Sequence, residues 1–395
     1  MQAQKVRARE ARENISGWSD ASKSLLAELP KTEFTGYTDY KTDAKIIAIL
    51  AEDESVQSVS EGECEVILDK TPFYGEGGGQ VGDTGTIYKD GAVLTVYDTK
   101  KTDGVYVHLC TVASGIFKAG DSVTADIDDA RRDAVKRNHS ACHLLQAALR
   151  RVLGSHVEQA GSYVDNERCR FDFTHFSALT SDELKKVEAL VNAHILAANE
   201  IVTKETDIDT ARKEGAMALF GEKYGDTVRV VTIGNPDHTE SVELCGGTHL
   251  HSTGQAGSFV ILSESGIAAG TRRIEAATGW NALKHARAMS EELHQLAAML
   301  KTQPGGLAAK LDGLQKENRG LRKDLEKAAA QAASGQGGDL MSKVVEINGV
   351  KVLAAKLDAS NIKAMRELMD DIRSKMPSGV ACIAAPVDEG KVSMI

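Results

Sequence analysis

Residues 131–153 read RRDAVKRNHSACHLLQAALRRVL, and the parsing of the whole chain follows from this stretch. Leu144, Leu145, Ala148 and Val152 recur at helical spacing, so a long helix is predicted here. It carries His139 and His143, four residues apart, whose imidazoles leave one face of the helix a single turn from each other. Towards the N-terminus, from Phe34 to about Asp128, short apolar or alternating runs (Ile46 to Leu50, Cys64 to Leu68, Thr86 to Tyr88, Val93 to Tyr97, Val105 to Cys110) are divided by Gly and Asp. That is the pattern of a β-rich module. Within it, FYGEGGGQVGDTG from Phe73 to Gly85 sets Gly77, Gly78 and Gly79 in a row, which permits either a plain β-turn or a close approach of backbone to a ligand. Towards the C-terminus, mixed helix and strand patterning continues to Gly279.

Further out, residues 1 to about 30 read as a charged helix and a second short one, stopped near Pro30. Beyond Gly279, Ala282, Ala286, Met289, Leu293, Leu296 and Leu300 step by four and three, and after Gln303-Pro304-Gly305-Gly306 so do Leu307, Leu311, Leu314, Asn318, Leu321, Leu325 and Ala328. Two such seams around a Pro-Gly-Gly turn predict an antiparallel helical hairpin, serving as a spacer or as a means of pairing two copies of the chain. A Gly- and Ser-rich linker is expected at Ala333 to Gly338. After it a strand-strand-helix-strand-strand pattern (Val344 to Ile347, Lys351 to Ala354, Ile362 to Met376, Val380 to Ala385, Val392 onward) ends in mid-strand, as in a module cut before completion. The expected fold class is α+β: a helical linker at 1–32, a β-rich, barrel-like module at 33–130, a metal-binding α+β core at 131–280, a helical hairpin or coiled coil at 281–335, and a partial small α/β module at 340–395.

With 395 residues, 42% hydrophobic and 26% charged, the composition is that of a soluble globular chain of more than one domain. No stretch approaches the roughly 20 apolar residues of a membrane span, and the N-terminus has no signal-peptide core, so a cytoplasmic protein without a membrane partner is expected. Cys64, Cys110, Cys142, Cys169, Cys245 and Cys382 show no framework spacing, which predicts reduced thiols. A formal charge of −10 speaks against nucleic acid as a bulk partner. Local basic clusters at Lys5 to Arg12, at Arg131 to Arg137 with Arg150 and Arg151, and at Arg272 and Arg273 nevertheless suffice for one end of an RNA.

Far from the histidine pair, Cys245-Gly246-Gly247-Thr248-His249 offers a thiolate and an imidazole across a glycine turn. His139, His143, Cys245 and His249 together supply three nitrogen ligands and one sulfur, a set that suits Zn²⁺. Four protein ligands make a closed, structural site. For catalysis, either the coordination expands to five or one ligand is held loosely.

The strings RNHSACHLLQAAL, HVEQAGSYV, RFDFTH, FGEKYGDTVRVV, ELCGGTH and GIAAGTRRIEAATG, in this order, resemble the editing domain of the alanyl-tRNA synthetases and their free-standing relatives. The resemblance spans about 34 to 280. The opening MQAQKVRAREA is similar to the linker before that domain, and the hairpin with its α/β module is similar to the family's C-terminal domain. It implies zinc at His139, His143, Cys245 and His249, and hydrolysis of the ester joining serine or glycine to the 3′ end of alanine tRNA. The adenylating catalytic domain has no counterpart here, so neither alanine activation nor ATP binding is expected. Gln159 falls where the family places a polar residue beside the substrate. Arg272 and Arg273 are candidates for tRNA phosphates, and Gly77, Gly78 and Gly79 for the tRNA end. Asn138, His156, His175 and His251 are lesser candidates, His251 because it would share the His249 side of a strand. Cys142 stands where the family usually has a threonine that helps select the amino acid; it is carried as a site residue that crowds the pocket, binds metal or packs as a small hydrophobe, with packing expected. Three other readings stay open: a non-enzymatic tRNA-binding module with structural zinc, a threonyl-type editing domain, and a free-standing deacylase.

Overall fold

The structure, a computed structural model, describes residues 20–395 except 53, 218–224, 236–237, 358–361 and 389–390. The Lys5 to Arg12 cluster, the first expected helix and part of FGEKYGDTVRVV lie outside the described residues. The chain divides into two compact units, Met1–Ala288 and Met289–Ile395. No described helix is long and apolar enough to cross a membrane.

The first unit opens with helix α1 (Asp20–Ala27), which ends ahead of Pro30. Six strands then form a closed antiparallel barrel: β1 (Lys41–Ala51), β2 (Glu63–Leu68), β3 (Gly85–Lys89), β4 (Ala92–Thr102), β5 (Val105–Ser114) and β6 (Ser122–Ile127). The order is β6-β3-β4-β5-β2-β1, and β6 closes it by pairing with β1 from Ser122↔Lys45 to Asp126↔Lys41. Alternate residues such as Ile46, Val66, Ile87, Leu94, Val96 and Ala125 fill the interior, as the two-residue period of a strand requires. Every apolar run named from the sequence lies within one of these strands.

Helix α2 (Asp129–Leu153) follows directly. The Asp128 side chain caps its first turn by accepting from the Arg131 amide, and Gly154, at φ 116°, ends it. The helix is buried over much of its circumference because it has cover on several sides. Its apolar side, with Leu144, Leu145 and Leu149, packs with Val187, Val191 and Ile195 of α3 (Ser181–Leu196). It also packs on a four-stranded antiparallel sheet made of β7 (Gln159–Val164), β8 (Cys169–Thr174), and, beyond a separate hairpin sheet, β12 (Phe259–Ala268) and β13 (Thr271–Thr278), in the order β7-β8-β13-β12. The hairpin sheet comprises β9 (Glu200–Asp207), β10 (Thr227–Asn235) and β11 (His238–Leu244), and β11 runs straight into Cys245.

Barrel and helix are joined by a buried ion pair. The Arg132 guanidinium, fully buried, donates to both carboxylate oxygens of Asp83 and to the carbonyls of Gly36 and Pro72 at 2.6 and 2.8 Å. Asp83 in turn accepts from the Tyr74 amide at 2.7 Å. Arg131 also points inward, to the Gly82 carbonyl at 2.7 Å. Two arginines of the basic cluster therefore hold the fold together.

In the second unit, which begins within α4 (Gly279–Met299), α5 (Leu307–Leu340) runs without interruption through 333–338, where the sequence predicted a linker. Gly and Ser are weak helix formers but do not forbid a helix. The expected hairpin is not closed: Leu293, Leu296, Leu311, Leu314, Leu321 and Leu325 are all exposed, the last at 71%. A seam pattern specifies an apolar stripe and leaves its partner undefined. The chain then forms a four-stranded sheet, β14 (Val345–Ile347), β15 (Val350–Lys356), β16 (Val380–Asp388) and β17 (Lys391–Met394), with α6 (Ile362–Lys375) packed on it through Met365, Leu368 and Ile372.

Removing one partner of a buried pair leaves the other charged and unpaired. Arg132→Met is therefore expected to destabilise the protein by about 3–5 kcal/mol in denaturant unfolding, and the double variant Arg132→Met/Asp83→Leu to recover most of the loss. Unfolding of the single variant at the wild-type denaturant concentration would remove this pair from the account.

Candidate metal centre

The ligand atoms of His139, His143, Cys245 and His249 all lie within 4.8 Å of one another, and the three histidines are buried. Cys245 Sγ is 3.4 Å from His139 Nε2 and 3.2 Å from His249 Nε2. A tetrahedral zinc with bonds of about 2.0–2.1 Å to nitrogen and 2.3 Å to sulfur sets its ligands roughly 3.3–3.7 Å apart, so the two Cys245 distances are close to those of a coordination shell, and the group as a whole, within 4.8 Å, is gathered around one ion-sized space. His143 Nε2 is buried and meets no hydrogen-bond partner, an expensive state for a polar atom unless a cation takes its lone pair. Donor set, spacing and orphaned nitrogen all fit zinc.

Groups behind the ligands fix which nitrogen faces inward. The Glu243 carboxylate accepts from His143 Nδ1 at 2.7 Å and from Ser241 Oγ at 2.6 Å. Gln80, fully buried, accepts through Oε1 from His139 Nδ1 at 2.8 Å and from the Thr248 amide at 2.9 Å, while its Nε2 donates to Thr248 Oγ1. With both Nδ1 protons engaged, both Nε2 lone pairs point into the cluster. His249 Nδ1 lies 3.3 Å from Ser140 Oγ, which also accepts from the Leu250 amide. Burial pushes His249 down to about 3, whereas at His143 burial acts downward and is outweighed by Glu243, which holds the ring well above the usual range. Burial pushes the Cys245 thiol up, but His139 and His249 outweigh it and hold it well below the ordinary thiol range.

The ligand loop is clamped from outside. Arg229 donates to the carbonyls of Cys245 and Gly247, and stacks at 4.0 Å over Tyr37, whose hydroxyl donates to the Gly246 carbonyl at 2.8 Å. A Cβ at Gly247 would overlap the His139 ring, so only glycine lets the loop pass this close. Gly77 and Gln80 exchange backbone hydrogen bonds around Gly78 and Gly79, which both have positive φ. A side chain at Gly79 would come within 2.6 Å of the Ser162 carbonyl. The glycine run is thus a tight turn that delivers Gln80 to the cluster.

Beside the cluster is a cavity of about 300 Å³. His139, Cys142, His143 and Gln146 line it from α2, Gln159 and Ser162 from β7, and Val164, Phe171 and Leu244 supply apolar wall. Gln159 Nε2 donates to Ser162 Oγ at 3.0 Å. Cys142 is buried in the apolar core, hydrogen-bonds Cys169 and stands outside the four-ligand set; its thiol is pushed well up by that bond and by burial. Gly78 lies at the cavity wall. Arg272 Nε is paired with Glu264 at 2.6 Å, and Arg273 holds Asp172 at 2.7 and 2.8 Å. Asn138 bridges Asp165 and Thr278, and His156 and His175 meet each other at 3.0 Å. His251 is exposed and lies outside any strand, so the condition on which it would share the His249 side is not met. All six cysteines are free thiols.

Gln80, Ser140, Arg229, Glu243 and Thr248 were not picked out from the sequence as site residues. Gln80 and Glu243 do stand at the edges of motifs that were, the glycine run and ELCGGTH.

Comparison with known proteins meets this site from both sides. A family model described as tRNA synthetases class II (A) matches residues 1–131, and one described as the threonyl and alanyl tRNA synthetase second additional domain matches residues 228–275, which include Glu243, Cys245 and His249. The alanine–tRNA ligase of Oleidesulfovibrio alaskensis is 50% identical over 400 residues, covering 100% of this chain and 45% of the relative. That of Acetivibrio thermocellus is 48% identical over 382 residues, covering 96% and 43%, and that of Pseudomonas syringae pv. syringae 46% over 396, covering 100% and 44%. The chain thus spans less than half the length of these relatives. Over that span it belongs with the alanyl-tRNA synthetases, corresponding to a part of those enzymes that includes their second additional domain.

Proposed function

We propose that this chain carries a proofreading site that hydrolyses the ester joining serine or glycine to the 3′ end of alanine tRNA. The observation that carries the reading is the cavity of about 300 Å³ opening directly on His139, His143 and Cys245, so that a bound ester would lie against the ligand cluster. Zinc would supply Lewis acidity there, polarising an ester carbonyl or acidifying water. Gln80 and Glu243 keep the His139 and His143 lone pairs directed inward. Gln159, held by Ser162, contacts the aminoacyl group, and Cys142 shapes the wall by packing. The acceptor end enters past the turn of Gly77, Gly78 and Gly79. A guanidinium has five N–H donors, so Arg272 and Arg273 retain donors for tRNA phosphates after pairing with their carboxylates. The exposed leucines of α4 and α5 in the second unit are where a second copy of the chain would pair, and sedimentation is expected to show a dimer that Leu321→Glu/Leu325→Glu converts to monomer; an unchanged sedimentation coefficient would set this pairing aside.

The closed four-ligand set favours one other reading, a structural zinc in a tRNA-binding module. Alanine tRNA charged with serine, glycine or alanine separates the two. Hydrolysis of the first two, sparing of the third, and loss of activity with chelator while fold and tRNA binding persist are expected of the proofreading site. Equal hydrolysis of all three esters, or none, would reject it.

The carboxylate behind His143 has its own signature. Glu243→Gln is expected to weaken zinc affinity by roughly 10- to 100-fold in competition with a chromogenic chelator, with the fold retained. Unchanged affinity would mean that Glu243 does not orient the ligand.

A further inference from the structure

Gln146 lies one helical turn beyond Cys142, on the α2 face that carries His139 and His143. It is only 5% exposed and lines the cavity, and among the described residues its amide forms no hydrogen bond. Its amide lines the open cavity, where a bound ligand would displace water from it and leave it without partners unless a ligand group pairs with its C=O and its NH₂. The Cys142 thiol hydrogen-bonds Cys169 and is packed in the core, which leaves Gln146 as the neutral polar side chain of α2 that lines the cavity outside the four-ligand group.

Resting on the deacylase reading of this cavity, we infer that Gln146 is the residue that reads the side-chain hydroxyl of a seryl ester. A hydroxyl both donates and accepts, as an amide does, and pairs with each end of it. The α-ammonium of an aminoacyl group only donates and would leave the NH₂ unpaired. It is also a cation, for which Glu158, another residue lining the cavity, offers a carboxylate as the better partner. An alanyl ester is a seryl ester without the hydroxyl. In its complex the methyl group would cover the Gln146 amide without pairing with it, so the cognate ester is disfavoured by desolvation, whereas a glycyl ester, which has no side chain, leaves room for a water at the amide.

The test uses non-hydrolysable mimics, adenosines bearing a 3′-seryl or 3′-alanyl amide, titrated calorimetrically into the zinc-loaded full chain. The wild-type protein is expected to prefer the seryl compound by roughly 10- to 100-fold. Gln146→Leu is expected to erase that preference by weakening seryl binding and strengthening alanyl binding, with zinc content unchanged, and Gln146→Asn to restore part of it. A seryl preference that survives in Gln146→Leu, or equal weakening of both compounds, overturns the assignment while the deacylase reading stands. A wild-type protein that binds neither mimic rejects both together.

Discussion

Two histidines on one helix and a Cys-His pair from a distant loop can share an ion only if helix and loop are each fixed before they meet. A few tenths of an ångström decides whether three imidazoles and a thiolate form a coordination shell or merely a polar cluster. The barrel secures the helix. Arg132 reaches from its first turn to Asp83 and to two barrel carbonyls, and Gln80 is carried on a barrel turn to the back of His139. The hairpin sheet secures the loop. β11 places Glu243 behind His143 two residues before Cys245, and Arg229 of β10 holds the loop carbonyls. Helix and loop also hold each other, directly through Ser140 with Leu250 and through Gln80, which bridges His139 and Thr248.

The cluster has one exposed consequence. The cavity borders three of the four ligands, so a group bound there meets the cluster from one side while Gln80, Thr248 and Ser140 enclose it from others. A structural zinc is ordinarily sealed by packed side chains. Here polar side chains, among them Gln146, Gln159 and Ser162, stand around an adjoining space with apolar wall between them, which is the composition of a small-molecule site.

The group that could hold a metal was legible in the sequence because metal binding demands particular residue types at particular local spacings, and His139/His143 and Cys245/His249 each satisfy one. The barrel strands were legible because a half-buried strand writes its period into the chain, as β4 does from Ala92 to Tyr97. What hid was whatever depends on pairing at long range. Gln80 and Glu243 are ordinary polar residues until the fold sets them behind His139 and His143, at separations of 59 and 100 residues. Arg272 and Arg273 read as a basic patch because their partners, Glu264 and Asp172, come from the neighbouring strands β12 and β8. The leucine seams of α4 and α5 were visible, yet a seam has no information about what covers it, and the helix through 333–338 overrode the composition of a linker.

Everything proposed for the cavity depends on His139, His143, Cys245 and His249 holding one zinc ion. X-ray absorption at the zinc edge of the purified chain tests it most directly. One equivalent of zinc is expected, with one sulfur at about 2.3 Å and nitrogens at about 2.0–2.1 Å, the sulfur shell vanishing in Cys245→Ala. A protein that takes up no zinc, or a shell of light atoms alone that is identical in the wild-type and Cys245→Ala chains, would contradict it.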